Sequence, residues 1–171
     1  MKKMFLAVLF IMTTILSVHA QNFALVDMEY ILKQIPSYEQ ANKQIESLSK
    51  QWQNTIEAKS QEARNLYENY QKTADKLSAS AKTAQEEAII KKEKEAAELR
   101  KTYFGPEGEL MKKRQQLITP IEDAIYNAVK RVATRKGYDA IIDRASAQSM
   151  IFASPRIDIS NDVLQELGNS K

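Results

Sequence analysis

The sequence has no cysteine and a single histidine, and that histidine, His19, sits in a segment read as removable. Lys2 and Lys3 form a charged start, and Met4 to Val18 is an uncharged apolar or small stretch. Val18-His19-Ala20 then places small residues at the two positions that a signal peptidase reads. Cleavage after Ala20 takes 20 of the 171 residues and leaves 151. Two of the 25 basic residues leave with it, so 23 then face 22 acidic ones, a net charge of +1. A mature chain with neither His nor Cys lacks the commonest general base, the commonest transition-metal ligand and the thiol nucleophile. Zinc enzymes, His-dependent triads, cysteine proteases and disulfide scaffolds are thereby excluded. An exported chain without cysteine must also draw its stability from packing or self-association. Beyond Val18 no apolar run approaches the ~18 residues that cross a bilayer, and residues 4–18 are short for an uncleaved anchor.

Glycine is almost as scarce. All four glycines lie at or after position 105, and none interrupts residues 37–102. That stretch is rich in Ala, Gln, Glu and Lys, all compatible with a long helix. Ala41, Ile45, Leu48, Trp52, Ile56, Ala63, Leu66, Tyr70 and Leu77 form a one-sided stripe with a spacing near 3.5, the mark of a helix packed along another helix. Pro36 fits the first turn, and Ser37 is expected to cap it. At 1.5 Å per residue the helix would reach ~60 Å, too long for the core of so small a chain, so an arm that projects is expected.

Two places compete for the turn. Gly105-Pro106-Glu107-Gly108 is the stronger local break, and Ser78-Ala79-Ser80-Ala81-Lys82-Thr83 the weaker. A turn at 105–108 would leave most of the outgoing stripe unpartnered. A turn at 78–83 sets residues 37–77 against 84–119, nearly equal lengths, and is preferred. Gly105-Pro106 then becomes a kink in the returning arm, and Pro120 a second one. Ala84, Ala88, Ala96, Leu99, Tyr103, Leu110, Leu117, Ile121, Ala124, Ala128 and Val132 are read as the returning stripe.

The chain ends carry the strand-forming residues. Phe23–Met28 reads as a first strand, with a helical turn at Tyr30-Ile31-Leu32. Gly137 stops the returning helix, Tyr138–Asp143 reads as a second strand, 144–148 as a loop and Ser149–Ala153 as a third strand. Ser160 is expected to cap a short helix over 161–167. Three short strands have open edges and little core, so self-association is the natural remedy. The fold class is α+β: a small β body made from both chain ends (residues 21–36 and 120–171) and a long antiparallel helical hairpin (37–119).

These pieces carry a resemblance. Ala24-Leu25-Val26-Asp27-Met28 after a signal segment, Tyr138-Asp139-Ala140-Ile141-Ile142-Asp143, and Asp158-Ile159-Ser160 leading into Val163-Leu164 resemble the Skp/OmpH family of periplasmic chaperones. The likeness spans residues 21–171, specific at the ends and generic in the coiled-coil middle. It implies a homotrimer whose strands join into one central body, with three arms extending like tentacles. It also implies that unfolded outer-membrane proteins are held between the arms in the periplasm, without ATP or any other cofactor. On this reading Leu25, Val26, Met28, Ile141, Ile142, Ile151 and Phe152 build the trimer body. The arm residues assigned to client contact are Tyr67, Lys72, Lys76, Lys82, Ile89 and Ile90.

Other partners find less support. The arms carry 15 basic and 13 acidic residues, so no lipopolysaccharide site is carried over, and contact with a membrane surface has no support. A mature charge of +1 also argues against nucleic acid. Asp27, Asp139, Asp143 and Asp158 lack the dense Asp/Asn/Gly pattern of a calcium loop and read as strand-end carboxylates. The second function reading is a structural or adaptor coiled-coil protein of the envelope that docks one fixed partner. An enzyme would have to run on Asp and Glu alone and is not expected.

Overall fold

The computed structural model describes residues 22–147 and 149–169; the proposed signal segment, residues 1–20, lies outside the described residues. In chain order the elements are β1 (Phe23–Val26), α1 (Met28–Lys33), α2 (Pro36–Thr73), α3 (Ala79–Phe104), α4 (Glu109–Lys136), β2 (Ala140–Asp143) and α5 (Ser160–Asn169). The chain divides into two compact units: Ile35–Ala124, and the residues up to Gln34 together with those from Ile125 onward.

The first unit is an antiparallel helical hairpin. Partners across it run in opposite directions along the chain. Trp52 stacks on Tyr103 with ring centroids 4.8 Å apart, Glu62 meets Lys92 at 2.9 Å, and the Tyr70 hydroxyl donates to Glu86. Ala41, Ile45, Ile56 and Ala63 of the outgoing stripe are buried, while Leu66 is exposed. Pro36 occupies the first turn of α2 with Ile35 as N-cap, so Ser37 lies inside the helix and does not cap it. The connection between α2 and α3 is a short 3₁₀ turn, Ala74–Lys76, followed by Leu77 and by Ser78, whose hydroxyl accepts from the Ala81 N–H as N-cap. Residues 79–83, part of the expected turn, are therefore helical.

The returning stripe also differs from expectation. Ala84 and Ala88 are exposed, and the seam instead follows Ile89, Ala96 and Tyr103, then Leu110 and Leu117, each seven residues after the last. Near the base, Tyr38, Ala41 and Ile45 cluster with Leu110, Leu117, Ile118 and Ile121. Pro120 sits inside α4 without ending it.

Between α3 and α4 the helix breaks at Gly105-Pro106-Glu107-Gly108. Helical bonding resumes at once: Gly105 N–H donates to Lys101 O at 2.9 Å, Gly108 N–H to Gly105 O at 2.9 Å, and Lys112 N–H to Gly108 O at 3.1 Å. Trp52 braces the end of α3, stacked on Tyr103 and edge-on to Phe104 at 6.4 Å. Gly108 permits this path, because a Cβ there would stand 2.8 Å from Tyr103 O and 2.9 Å from both Gly105 N and Thr102 O. Those neighbours are backbone and cannot swing aside. Gly108→Ala is expected to destabilise the hairpin by about 1–3 kcal/mol, the usual cost of overpacking. Urea unfolding followed by Trp52 fluorescence reads this directly, since Trp52 is the sole tryptophan.

The second unit is built on a two-stranded parallel sheet. β1 pairs with β2 in the register Phe23↔Ala140 to Val26↔Asp143. Parallel pairing requires a long crossover, which the intervening hairpin supplies. The other edge of β1 meets Asp158 through an isolated bridge at Leu25, and Ile159 N–H donates to Leu25 O at 2.9 Å. Both edges of β1 are thus occupied at its centre. The expected strand at 149–153 does not form: the outer edge of β1 is taken by Asp158 and Ile159, β2 pairs with β1 alone, and the described residues there have no regular structure. Gly137, at φ +72°, ends α4, with Tyr138 N–H closing on Ala133 O at 3.0 Å, a glycine-terminated helix end.

Candidate functional site

Three regions of the molecule could carry function: the carboxylates of the body, its exposed apolar segment, and the surface of the hairpin.

The carboxylates are structural. Asp27 caps α1, its Oδ1 accepting from Tyr30 N–H at 2.8 Å, while Oδ2 receives the Arg144 guanidinium at 2.9 Å. Arg144 also reaches Asp158 Oδ2 at 3.2 Å. Asp158 Oδ1 accepts from both the N–H and the hydroxyl of Ser160, at 2.9 and 2.6 Å, and the buried Ser160 hydroxyl in turn accepts from Asp27 N–H at 2.9 Å. Asp143 Oδ1 takes Met28 N–H at 3.2 Å and Ala145 N–H at 3.1 Å, and Asp139 Oδ2 takes Asn22 N–H at 3.2 Å. Every one of these carboxylates thus ties one end of the chain to the other or closes a local turn. Among the described residues no group of three His, Cys, Asp or Glu is arranged to hold a metal ion.

The Tyr30 N–H, helped by Arg144, holds the Asp27 carboxyl below its ordinary value of 3.8. A depressed carboxylate pKa means stability that is present above the ordinary pKa and lost as pH falls through the folded one. Asp27→Asn retains a capping side chain and removes only the charge. It is expected to unfold more readily than the parent at neutral pH, with the difference closing as pH drops well below 3.8. Parallel urea titrations at several pH values check this.

α5 is fixed to the end of α4 by a second charged group. Glu166 accepts from Arg131 at 2.7 Å and from Arg135 at 2.8 Å, which together lower its pKa, and Lys136 meets Asp162 at 2.6 Å.

The residues assigned to a trimer body fall into two groups. Leu25 and Val26 are buried in this chain's own core, and Met28 and Ile141 are half-buried. Ile142 is 41% exposed, and Ile151 and Phe152 are 101% and 82% exposed, an apolar pair with no cover among the described residues.

The hairpin residues assigned to client contact also divide. Tyr67 and Ile90 stand half-exposed, and Lys72 and Lys76 are exposed. Lys82 is half-buried in the first turn of α3. Ile89 is the correction: at 7% exposure it belongs to the seam and does not face solvent. Its seven-residue spacing to Ala96 and Tyr103 was the available signal. Leu66, read from the sequence as part of the packed stripe, and Met111 are further exposed apolar residues of the same unit. No helix among the described residues is long and apolar enough to cross a membrane.

Comparison with known proteins matches this arrangement. The family model described as outer membrane protein (OmpH-like) matches residues 22–167, from the start of β1 into α5. The chain belongs to the OmpH-like family. Its relatives include chaperone protein Skp of Yersinia enterocolitica, 28% identical over 153 residues that cover 88% of each chain. Chaperone protein Skp of Photorhabdus laumondii is 26% identical over 171 residues, covering 98% of this chain and 99% of the relative. Among solved structures, an OmpH-like protein of Caulobacter crescentus CB15 matches at a TM-score of 0.68 and 11% identity, covering 88% of this chain and 85% of that one. That last match is a likeness of fold alone.

Proposed function

We propose that this OmpH-like chain is a nucleotide-independent holdase that keeps unfolded outer-membrane proteins soluble in the periplasm. The observation that carries the reading is the hairpin itself. Its seam is closed by Ile45, Ile56, Ile89, Ala96 and Ile118, yet Leu66, Tyr67, Ile90 and Met111 remain exposed among charged residues. Scattered apolar contacts on a charged surface suit weak, reversible binding of many sequences better than one fixed partner. The names of the Skp relatives support the chaperone class.

On this reading residues 1–20 direct export and are removed after Ala20. Three copies join through Ile142, Ile151 and Phe152, which expose apolar surface among the described residues of a single chain. The hairpins then extend from the joined bodies and surround the client, with Tyr67, Ile90, Lys72, Lys76 and Lys82 on the surfaces that meet it. No cofactor or catalytic residue takes part. The test is whether the mature chain keeps an unfolded outer-membrane barrel soluble after dilution from urea without nucleotide. An adaptor would bind one folded partner and leave the barrel to precipitate.

A further inference from the structure

A groove of about 300 Å³ crosses the hairpin surface between α2 and α3. Its floor is made small by Ala63 and Ala96, where the seam has methyl groups in place of the isoleucines found on either side at Ile56 and Ile89, with the exposed Ala97 beside them. Tyr67, half-exposed, lines the groove together with two arginines, Arg64 and Arg100. The volume lies at the bottom of the range for small-ligand pockets, enough for a side chain and too small for a folded surface.

The chemistry of the arginines selects the occupant. The Arg64 Nε and Nη2 donate to Gln61 Oε1 at 3.1 and 2.7 Å, and Nη2 also pairs with Glu57. Those bonds lie in the guanidinium plane and engage its Nε and Nη2 donors, leaving Arg64 its flat face and the Nη1 edge. Arg64 is paired with Glu57, and Glu93 lines the groove with Arg100, so two arginines face two glutamates and the group carries no net charge to select an anion. A guanidinium face, a tyrosine ring and an alanine floor instead suit a second planar, polarisable group.

We propose that this groove takes the ring of a single aromatic side chain from an unfolded client, an assignment that rests on the holdase reading and gives it a specific contact. Aromatic residues of the client would then be held one at a time along the hairpin, with the ring over Ala97 and between the arginines and Tyr67.

The experiment uses the mature chain labelled with ¹⁵N and three Gly/Ser host peptides carrying one phenylalanine, one cyclohexylalanine or one glutamate. The phenylalanine peptide is expected to shift the amides of Tyr67, Ala96 and Ala97. The cyclohexylalanine peptide, of similar size without a π face, is expected to bind about two- to fivefold more weakly. Ala97→Leu fills the groove from an exposed position and should abolish the shifts while leaving the hairpin's thermal transition in place. Arg100→Lys keeps the charge, removes the plane and should weaken phenylalanine binding alone. Equal binding of cyclohexylalanine, tighter binding of glutamate, or no shifts with phenylalanine each overturns the assignment. Barrel solubility is measured on the same preparation to separate the two claims. Soluble barrels without phenylalanine binding sink the groove and leave the holdase standing. Precipitating barrels with phenylalanine binding do the reverse.

Discussion

Ile125→Ala is expected to remove about 2–5 kcal/mol from the body, the cost of emptying a fully buried aliphatic site. The body is small. Its buried apolar residues among those described are Ala24, Leu25, Val26, Ile31, Ile125, Ala128, Val132, Ile159 and Val163, and Ile125 is one of the largest of them at 0% exposure. A domain's whole stability is about 5–15 kcal/mol, so a loss of this size brings the body close to unfolding. Ile118, Ile125 and Val132 follow one another at seven-residue intervals on α4, but only the first belongs to the hairpin cluster. The hairpin's own seam therefore survives the substitution. Two signals separate the units: Trp52 fluorescence reports the hairpin, and protection of the Leu25 and Val26 amides from hydrogen exchange reports the body. The expected result is early loss of body protection with the Trp52 transition little moved. A shift of both by the same amount would mean that the two units unfold as one.

Replacing residues 60–100 by a short Gly/Ser turn has the largest expected effect on function. The Trp52–Tyr103 stack and the cluster around Ala41, Ile45 and Ile118 lie on the near side of the cut and should persist. The sheet, the Asp27–Arg144–Asp158 ties and α5 lie in the other unit. The shortened chain should thus fold and keep its oligomeric state in sedimentation. It loses Leu66, Tyr67 and Ile90 together with the arginine-lined groove, and protection of barrels is expected to fall to background. Retained protection would move client contact to the body or to the base of the hairpin.

Most of the helical architecture was legible because a seam repeats. The outgoing stripe could be read position by position, since Ile45, Trp52 and Ile56 are large and regularly spaced. The returning stripe was misread where alanine is abundant: Ala84 and Ala88 fit a helical period as well as Gln85 and Ile89 do, and composition alone cannot choose between offset faces. Extending the seven-residue spacing back from Tyr103 and Ala96 would have reached Ile89. The break at Gly105-Pro106 was visible, but the role of Gly108 was not, because its crowding comes from backbone atoms brought close only by the break itself.

The body was less legible, for a physical reason. Its ties join residues more than a hundred positions apart, such as Asp27 with Ser160 and Met28 with Asp143. No local pattern announces such pairs. The third strand shows the same limit: Ser149–Ala153 has strand-forming residues, but the outer edge of β1 is taken by Asp158 and Ile159, a pairing that only the long-range fold decides. The exposure of Ile151 and Phe152 that results is the most direct structural argument for self-association.

The central claim is that this chain holds unfolded chains by surface and shape, without chemistry. The most direct measurement is light scattering of a urea-unfolded outer-membrane barrel diluted into buffer with increasing amounts of the mature chain and no nucleotide. The account predicts that scattering falls in proportion to added chain and vanishes at a fixed stoichiometry, with no further change when ATP is supplied. Scattering that stays at the level of the barrel alone, at every ratio, would contradict it.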